Sequence, residues 1–497
     1  MFIGRNAELE LLNKSLERDK ASFIVVHGRR RLGKTRIIEE FLKEKPEGTF
    51  HYYLVPEQTE TIIMRELSRE IGKHVFGSDE ITVSNFPEFL TLLEKASQEV
   101  YARTGQKFIL VLDEFQRLLT ANRSIPSYLQ KKWDASLKNA PFYLIVSGSA
   151  VTMMEKIFFD KKASLYGRRT GSMKVGPLSI KDLKTYFGFD WTTAFYVYGL
   201  IGGVPYYWEN IAYDTSKNLG QNIADNFFKK GLFLDEGNFL LREETQEPKV
   251  YLSILDGIAH GHRNLGSLSK YLGMKNTDLT AYLEVLQRLN IIEKDPPLFF
   301  SKKSDYIVSD PFVNFWFRYV RQVSGPVELG VPPIALLSRM EGSIGEYYAN
   351  LYETMWRATL RKLFSKMDVG KVRLRSPLVD GEIDVAGVEG NKLIFIAEIK
   401  FKKNFDNGDL AQLDRNLEIF RKIHPKIDTE KVVKIAIAPS LSAVLQNRGL
   451  LHLDFPAEAA VLIKKLKPVF ALETPSSTQK NKGRAILDFK IKGPGEI

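Results

Sequence analysis

The stretch Gly28-Arg29-Arg30-Arg31-Leu32-Gly33-Lys34-Thr35 has the spacing G-x-x-x-x-G-K-[ST]. An apolar run at 23–27 leads into it, and helical periodicity at 36–45 follows. Between a strand and a helix, such glycines let backbone N–H groups converge on phosphate oxygens, and the helix N-terminus adds partial positive charge. Lys34 is then placed to reach the outer phosphates of a nucleoside triphosphate, and Thr35 to ligate Mg²⁺. The binding stretch runs from Gly28 through Arg36. Arg29, Arg30 and Arg31 occupy its variable positions and read as surface charge.

Residues 108–112 are a second apolar run, and it ends in Asp113-Glu114. A carboxylate at the carboxyl end of a buried strand faces the ligand crevice of an open α/β sheet. Asp113 is suited to hold Mg²⁺ and Glu114 to polarise an attacking water. A third run, 142–146, opens into Ser147-Gly148-Ser149, where either serine can sense a γ-phosphate or simply form a turn. Arg168 and Arg169 offer a cation for a transferring phosphoryl group, in cis or from a neighbouring subunit. The competing reading is a basic loop, since Lys161, Lys162 and Lys174 lie close by in the chain.

More carboxylates stand near the other end. Glu382 and Asp384 lie on one strand pattern, Glu398 and Lys400 on the next, with Glu389-Gly390-Asn391 as a three-residue turn. That loop length sets Asp384 opposite Ile396 and Glu382 opposite Glu398, with all four polar groups on one face. Two acids on a divalent ion beside a lysine suit phosphodiester cleavage, with Asp384 and Glu398 as ligands and Lys400 orienting water. A Glu382–Lys400 ion pair without a metal is the alternative. The set resembles the PD-(D/E)xK nuclease signature. That resemblance implies an upstream helix acid, for which Glu346 stands, although Pro377 lies well before Asp384.

The elements that must position these residues follow from periodicity. Strands at 23–27, 49–54, 108–112 and 142–146 alternate with helices at 36–45, 59–75, 87–103 and 128–138, which is a doubly wound α/β sheet. The expected domains are a P-loop core (1–175), a helical lid (176–240), a winged-helix domain (241–323), a second α/β unit of restriction-endonuclease type (334–470) and a basic flexible tail (471–497). The winged-helix order is three helices, 250–259, 265–272 and 277–289. A strand pair at 291–294 and 298–301 follows, turning at Asp295-Pro296-Pro297. The stretch 324–333, with Ser324-Gly325-Pro326 and Pro332-Pro333, reads as a linker. His260 and His262 lack a third ligand and read as a helix end, not a zinc site.

At 497 residues the chain has room for about three domains. It has no cysteine, which excludes disulfides and thiolate zinc sites. The net charge of +11 favours a polyanionic partner, with nucleic acid, DNA in particular, the usual one. There is no leader-like N-terminus, and no apolar run approaches the ~20 residues of a membrane span. The expectation is a cytoplasmic protein with no membrane partner.

With these residues in view, the chain resembles the archaeal ATPase family, related to AAA+ and STAND ATPases within the P-loop branch that carries a catalytic glutamate (ASCE). The likeness begins at Phe2-Ile3-Gly4-Arg5, similar to the family's box beside the adenine. It continues through the P-loop, Asp113-Glu114-Phe115, Tyr166-Gly167-Arg168-Arg169 and Gly203-Val204-Pro205 to Asp310-Pro311-Phe312. It implies ATP as the nucleotide and Pro205 packed near the base, and no guanine-reading Asn-Lys-x-Asp follows Asp113. The overall expectation is a Mg²⁺-dependent ATP hydrolase acting with nucleic acid, possible as a homo-oligomer, with a C-terminal nuclease-like site. The alternative is an ATP-dependent signalling or assembly switch whose C-terminal fold binds without cutting.

Overall fold

The computed structural model describes residues 2–245, 247–299, 304–340, 342–376, 379–402, 404–446 and 450–455. The tail expected at 471–497 and Pro377 lie outside them. Among the described residues, no helix is long and apolar enough to cross a membrane.

The N-terminal sheet has five parallel strands, β1 (Ser22–His27), β2 (Phe50–Leu54), β3 (Phe108–Asp113), β4 (Phe142–Gly148) and β5 (Gly171–Lys174), in the order β2-β3-β4-β1-β5. The central strands alternate between two cores, as period-two side chains must when both faces are covered. Ile24, Val26, Ile109, Val111 and Ile145 enter one, while Phe23, Val25, Leu110, Leu112 and Leu144 enter the other. Strand β5 was not expected. Its Gly-Ser-Met-Lys sequence is polar because it is an edge strand, with only Met173 of its four residues buried.

Helices fill the next stretch as expected: Ile180–Phe187, Trp191–Ile201, Pro205–Asn210, Leu219–Phe227 and Leu232–Glu244. Three more, Pro248–Ala259, Leu265–Leu272 and Asn276–Arg288, precede a two-stranded antiparallel ladder, β6 (Ile292–Asp295) with β7 (Asp305–Val308). The returning strand is therefore 305–308, not the expected 298–301. Pro296 and Pro297 have no N–H to donate to a strand ladder, and the chain runs past them before it returns. Leu298 instead donates its N–H to the Lys371 carbonyl at 2.8 Å, and Phe299 packs on Phe420 and His424.

The expected linker is largely helical. Pro311–Phe315, a π-turn at Trp316–Val320 and Arg321–Glu328 run on without a break, and a 3₁₀ segment, Pro333–Arg339, follows. Val323 and Val327, one turn apart, are both buried and hold this segment in place despite Pro326.

The C-terminal sheet is mixed. Strands β8 (Asp368–Ser376), β9 (Val379–Glu389) and β10 (Lys392–Ile399) are antiparallel neighbours, and β11 (Val433–Ile437) and β12 (Leu451–Leu453) run parallel to β10. The Ile344–Leu363 helix covers one face through Tyr352, Trp356 and Leu360, and the Asn407–Ile423 helix covers the other through Leu413, Leu417 and Phe420. The first of these faces shares one continuous core with the helices after β5 and the N-terminal sheet, from Leu12 to Phe455.

Candidate functional site

The loop after β1 bends where glycine permits it. Gly33 has φ +87°, and a Cβ on Gly28 would stand 2.5 Å from the Val175 carbonyl oxygen. The Lys34–Leu42 helix starts at once behind it and supplies the N-terminal dipole. Lys34 is buried, its Nζ donating to the Gly28 and Arg29 carbonyls at 2.8 and 3.1 Å. Arg5 of the N-terminal box braces the loop from outside, donating to the Leu32 and Gly176 carbonyls at 3.1 and 2.7 Å. Pro205 begins the Pro205–Asn210 helix, its Cγ 3.9 Å from where a Gly33 Cβ would lie. Pro205 thus abuts the loop glycine.

Across the loop stands the tip of β3. Thr35 Oγ1 donates to Asp113 Oδ2 at 2.8 Å, and the Tyr52 hydroxyl donates to the same oxygen at 2.5 Å. Burial and the Asp113 carboxylate raise the Tyr52 pKa, keeping it a donor. Glu114 has φ +55°, a left-handed conformation that costs a non-glycine residue on the order of 1 kcal/mol. Its carboxylate is held in that pose: Ser149 Oγ donates to Oε2 at 2.9 Å, and the Gln116 side-chain amide donates to the same oxygen. Gln116 also reaches Ser149 Oγ at 3.1 Å, while Ser147 is buried within β4. His27, at the tip of β1, is pushed down to a pKa of about 4 by burial and by the charges of Lys174, Lys34 and Arg169, so it is neutral beside the loop.

The three loop arginines are not surface charge as a group. Arg29 is buried and ion-paired to Asp310, equally buried, at 2.5 Å. Arg31, with φ +66°, pairs with buried Glu236, whose Oε1 also accepts from the Tyr207 hydroxyl at 2.7 Å. Neither partner is visible in the local sequence, because both lie more than 200 residues away along the chain. Arg30 Nε reaches Ser149 Oγ at 3.5 Å, and Arg36 is exposed beside Glu39.

Arg168 and Arg169 are engaged locally. Arg168 pairs with Asp134 at 2.9 Å, and Arg169 stacks its guanidinium 4.1 Å over Phe159 and donates to the Phe158 carbonyl. These contacts fit the basic-loop reading within one chain.

In the C-terminal sheet the expected register is shifted. Glu389 pairs directly with Lys392, so the turn is the two residues Gly390-Asn391, and a bulge between Leu393 and Phe395 follows. Ala397 then pairs with Val385, which carries Asp384 opposite Glu398, not Ile396. Asp384 Oδ2 accepts the Ile399 N–H at 2.8 Å, and Glu398 lies 2.7 Å from Lys400 Nζ. Glu382 leaves the group, ion-pairing with Lys371. The helix acid beside the pair is Glu353; Glu346 sits two turns earlier, accepting from Asn350 at 3.4 Å. Burial, then Glu353 and Glu398, push the Asp384 carboxyl up to about 8. Burial likewise raises Glu398, whereas Lys400 is raised by the Glu398 carboxylate against the effect of its own burial. Among the described residues no three His, Asp or Glu groups gather closely enough to hold a metal ion by themselves.

Comparison with known proteins agrees with the loop and strand tip. A profile for an ATPase domain predominantly from Archaea matches residues 2–211. A Methanocaldococcus jannaschii protein, the uncharacterized MJECL04, is 31% identical over 450 residues, covering 88% of this chain and 95% of its own. The M. jannaschii ATP-binding protein MJ0423 is 47% identical over 45 residues, 9% of this chain and 76% of that one. Among solved structures, a Walker-type ATPase of Pyrococcus abyssi is 22% identical, covers 64% of this chain and 96% of that one, and has a TM-score of 0.48. The Aeropyrum pernix ORC2 protein, in ADPNP and ADP complexes, is 16% identical over 66% of this chain and 94% of that one, with a TM-score of 0.39. A glycine-bent loop facing a strand-tip Asp-Glu, in a chain related over nearly its full length to an archaeal protein, makes this a P-loop ATPase that belongs to the family of ATPase domains found predominantly in Archaea.

Proposed function

We propose that the chain is a Mg²⁺-dependent ATP hydrolase that works on nucleic acid, probing or remodelling it through its helical modules and presenting a nuclease-like carboxylate pair at its C-terminal sheet. The observation that carries the ATPase part is the 2.8 Å bond between Thr35 and Asp113. It sets two hard oxygen ligands side by side at the end of the phosphate loop, as Mg²⁺ held jointly with substrate phosphates requires. When bound, the ion neutralises charge on the β- and γ-phosphates. Lys34 leaves the loop carbonyls for the phosphate oxygens. Glu114 keeps Oε2 on Ser149 and Gln116 and turns Oε1 to the attacking water. Ser149 lies between that carboxylate and Arg30, and its single hydroxyl proton goes to Glu114, so it links Arg30 to the water-polarising carboxylate. Arg168 and Arg169, engaged locally in their own chain, are placed to act on the site of a neighbouring copy in a homo-oligomer.

The nucleic-acid part is supported by the +11 charge and by the order of three helices followed by an antiparallel strand pair, which is that of a winged helix. The nuclease part is supported by the Asp384–Glu398–Lys400 grouping and by a mixed sheet with a helix on each face. The alternative, a signalling or assembly switch, is favoured by the Arg29–Asp310 and Arg31–Glu236 pairs, which tie the phosphate loop to distant modules.

The decisive measurement is ATP turnover by wild type, Lys34→Ala and Glu114→Gln. Loss of binding in the first and of turnover with retained binding in the second is expected; wild-type rates in both would end the ATPase assignment. Mg²⁺- or Mn²⁺-dependent cutting of DNA and RNA, lost in Asp384→Ala and Lys400→Ala, separates nuclease from switch.

A further inference from the structure

A cleft of about 1320 Å³ opens where the N-terminal box, the 248–308 module and the Ile344–Leu363 helix meet. Its walls carry Arg263, Arg318, Arg357, Lys362 and Lys371. The acids of this region are mostly engaged. Asp295 holds Arg357 at 3.2 Å and Arg361 at 2.8 Å, Asp305 pairs with Arg373, and Glu353 holds Arg357 at 3.2 Å. Glu293, also on the wall, is pushed toward its neutral form by burial, and Asp310 belongs to Arg29. Arg318 is directed by a 3.0 Å bond to the Ala259 carbonyl.

Arg263 stands apart. It follows the turn at 260–262 and is partly withdrawn from solvent, yet among the described residues no hydrogen bond or ion pair reaches its guanidinium. Burial and the neighbouring Arg318 and Arg357 weigh against its charge, and Asp305 and Asp295 offset this only in part. A half-buried guanidinium beside like charges is stabilised by an anion that completes its hydrogen bonds. A guanidinium presents its N–H groups as a fork that fits the oxygens of a phosphate.

We propose that Arg263, with Arg318 beside it, forms a phosphate-binding site in this cleft, and that the phosphates it takes are those of a nucleic-acid strand. The source of the phosphate rests on the nucleic-acid reading above; the site itself does not. The cleft reaches Gln287 and Asn290, at the end of the third helix of the 248–308 module. At its other side it reaches Glu353 and Arg357, and the Arg357 guanidinium donates to the Asp384 carbonyl at 3.4 Å. A strand seated on Arg263 therefore runs from that helix toward the Asp384–Glu398 pair.

The test uses the full chain carrying Lys34→Ala, so that the nucleotide loop does not dominate phosphate binding. Anisotropy of a labelled single-stranded and a duplex oligonucleotide is read across salt concentrations, with calorimetric titration of pyrophosphate alongside. Arg263→Gln is expected to weaken strand binding about 5- to 10-fold and to reduce the slope of log affinity against log salt by about 1. Arg263→Lys should restore part of the affinity, and Lys95→Gln, remote from the cleft, should change nothing. Pyrophosphate binding lost in Arg263→Gln, with no strand binding by any variant, would keep the phosphate site and remove nucleic acid as its source. Strand and pyrophosphate binding both unchanged in Arg263→Gln would overturn the proposal. So would a drop in melting temperature of more than about 5 °C with binding intact, since that marks a structural cation.

Discussion

Asp113 Oδ2 accepts two hydroxyls, Thr35 and Tyr52, and the two have different futures when a metal arrives. On the proposed reading Thr35 would help hold Mg²⁺ beside Asp113, and Tyr52 would orient the carboxylate, as an outer partner tunes a metal ligand. Tyr52→Phe removes a hydrogen bond to a charged acceptor, worth about 1.5–3 kcal/mol. We expect kcat/KM for ATP to fall about tenfold and the Mg²⁺ concentration for half-maximal turnover to rise; a Mg²⁺ titration of activity checks this, and an unchanged midpoint would remove Tyr52 from the site. Asp384 makes a prediction of opposite electrostatic sense. Its folded pKa, about 8, lies above the ordinary 3.8, so the folded protein binds the proton more tightly than the unfolded chain. Its contribution is thus most favourable below about pH 4 and is lost as pH rises toward 8. Asp384→Asn keeps an acceptor for the Ile399 N–H without the buried charge. The variant should gain on wild type across that window, by roughly 2 kcal/mol near pH 8. Denaturation at pH 5 and pH 8.5 reads the difference, and equal curves at both would contradict it.

At the scale of elements, the Trp191–Ile201 helix joins the C-terminal unit both through the Ile344–Leu363 helix and through Trp191 and Phe195 packed on Phe455 and Phe401. The Trp191–Ile201 helix ends in Gly202-Gly203, next to the loop that carries Pro205, and its flank meets the Ile344–Leu363 helix. The Tyr347 hydroxyl donates to the Gly199 carbonyl at 2.5 Å and Tyr348 to that of Tyr196 at 2.8 Å. A Cβ on Gly199 would stand 2.4 Å from the Tyr348 ring. Gly199→Ala is therefore an overpacking change, expected to cost about 1–3 kcal/mol, and chemical denaturation measures it. The Ile344–Leu363 helix, which Gly199 packs against, carries Glu353 and Arg357 onto the Asp384 strand, so an error at Gly199 should also alter the environment of the carboxylate pair.

At the scale of the whole molecule, two buried acids tie the phosphate loop to modules far along the chain. Asp310 caps the Pro311–Phe315 helix by accepting the Val313 N–H at 3.1 Å and holds Arg29 as well. Asp310→Asn retains an acceptor for the cap but leaves Arg29 buried without its counter-charge, a loss of about 3–5 kcal/mol. Because that pair bridges the N-terminal sheet and the later helices, the single unfolding transition expected of wild type should split in calorimetry. One unshifted transition in the variant would mean that the continuous apolar core alone couples the modules.

Much of the nucleotide site was legible in the residue order, because its chemistry is local. Gly28 to Thr35 lie in one loop, and Asp113-Glu114 end one strand, so spacing and hydrophobic periodicity suffice to place them. The helices after β5 and the three helices before β6 were legible for the same reason. Edge strand β5, the true partner of β6 and the register of β9 on β10 were not: the first lacks an apolar pattern, and the others depend on a proline-forced detour and a bulge. Beyond that reach lay Tyr52 on Asp113, Gln116 on Glu114, Arg29 on Asp310, Arg31 on Glu236 and Glu353 beside Asp384. Sequence alone determined which groups could do phosphate chemistry and which elements carry them. The tertiary structure decided which charges are neutralised and by whom, because burial and the partner of a buried charge are set by chain segments that meet only when the modules pack.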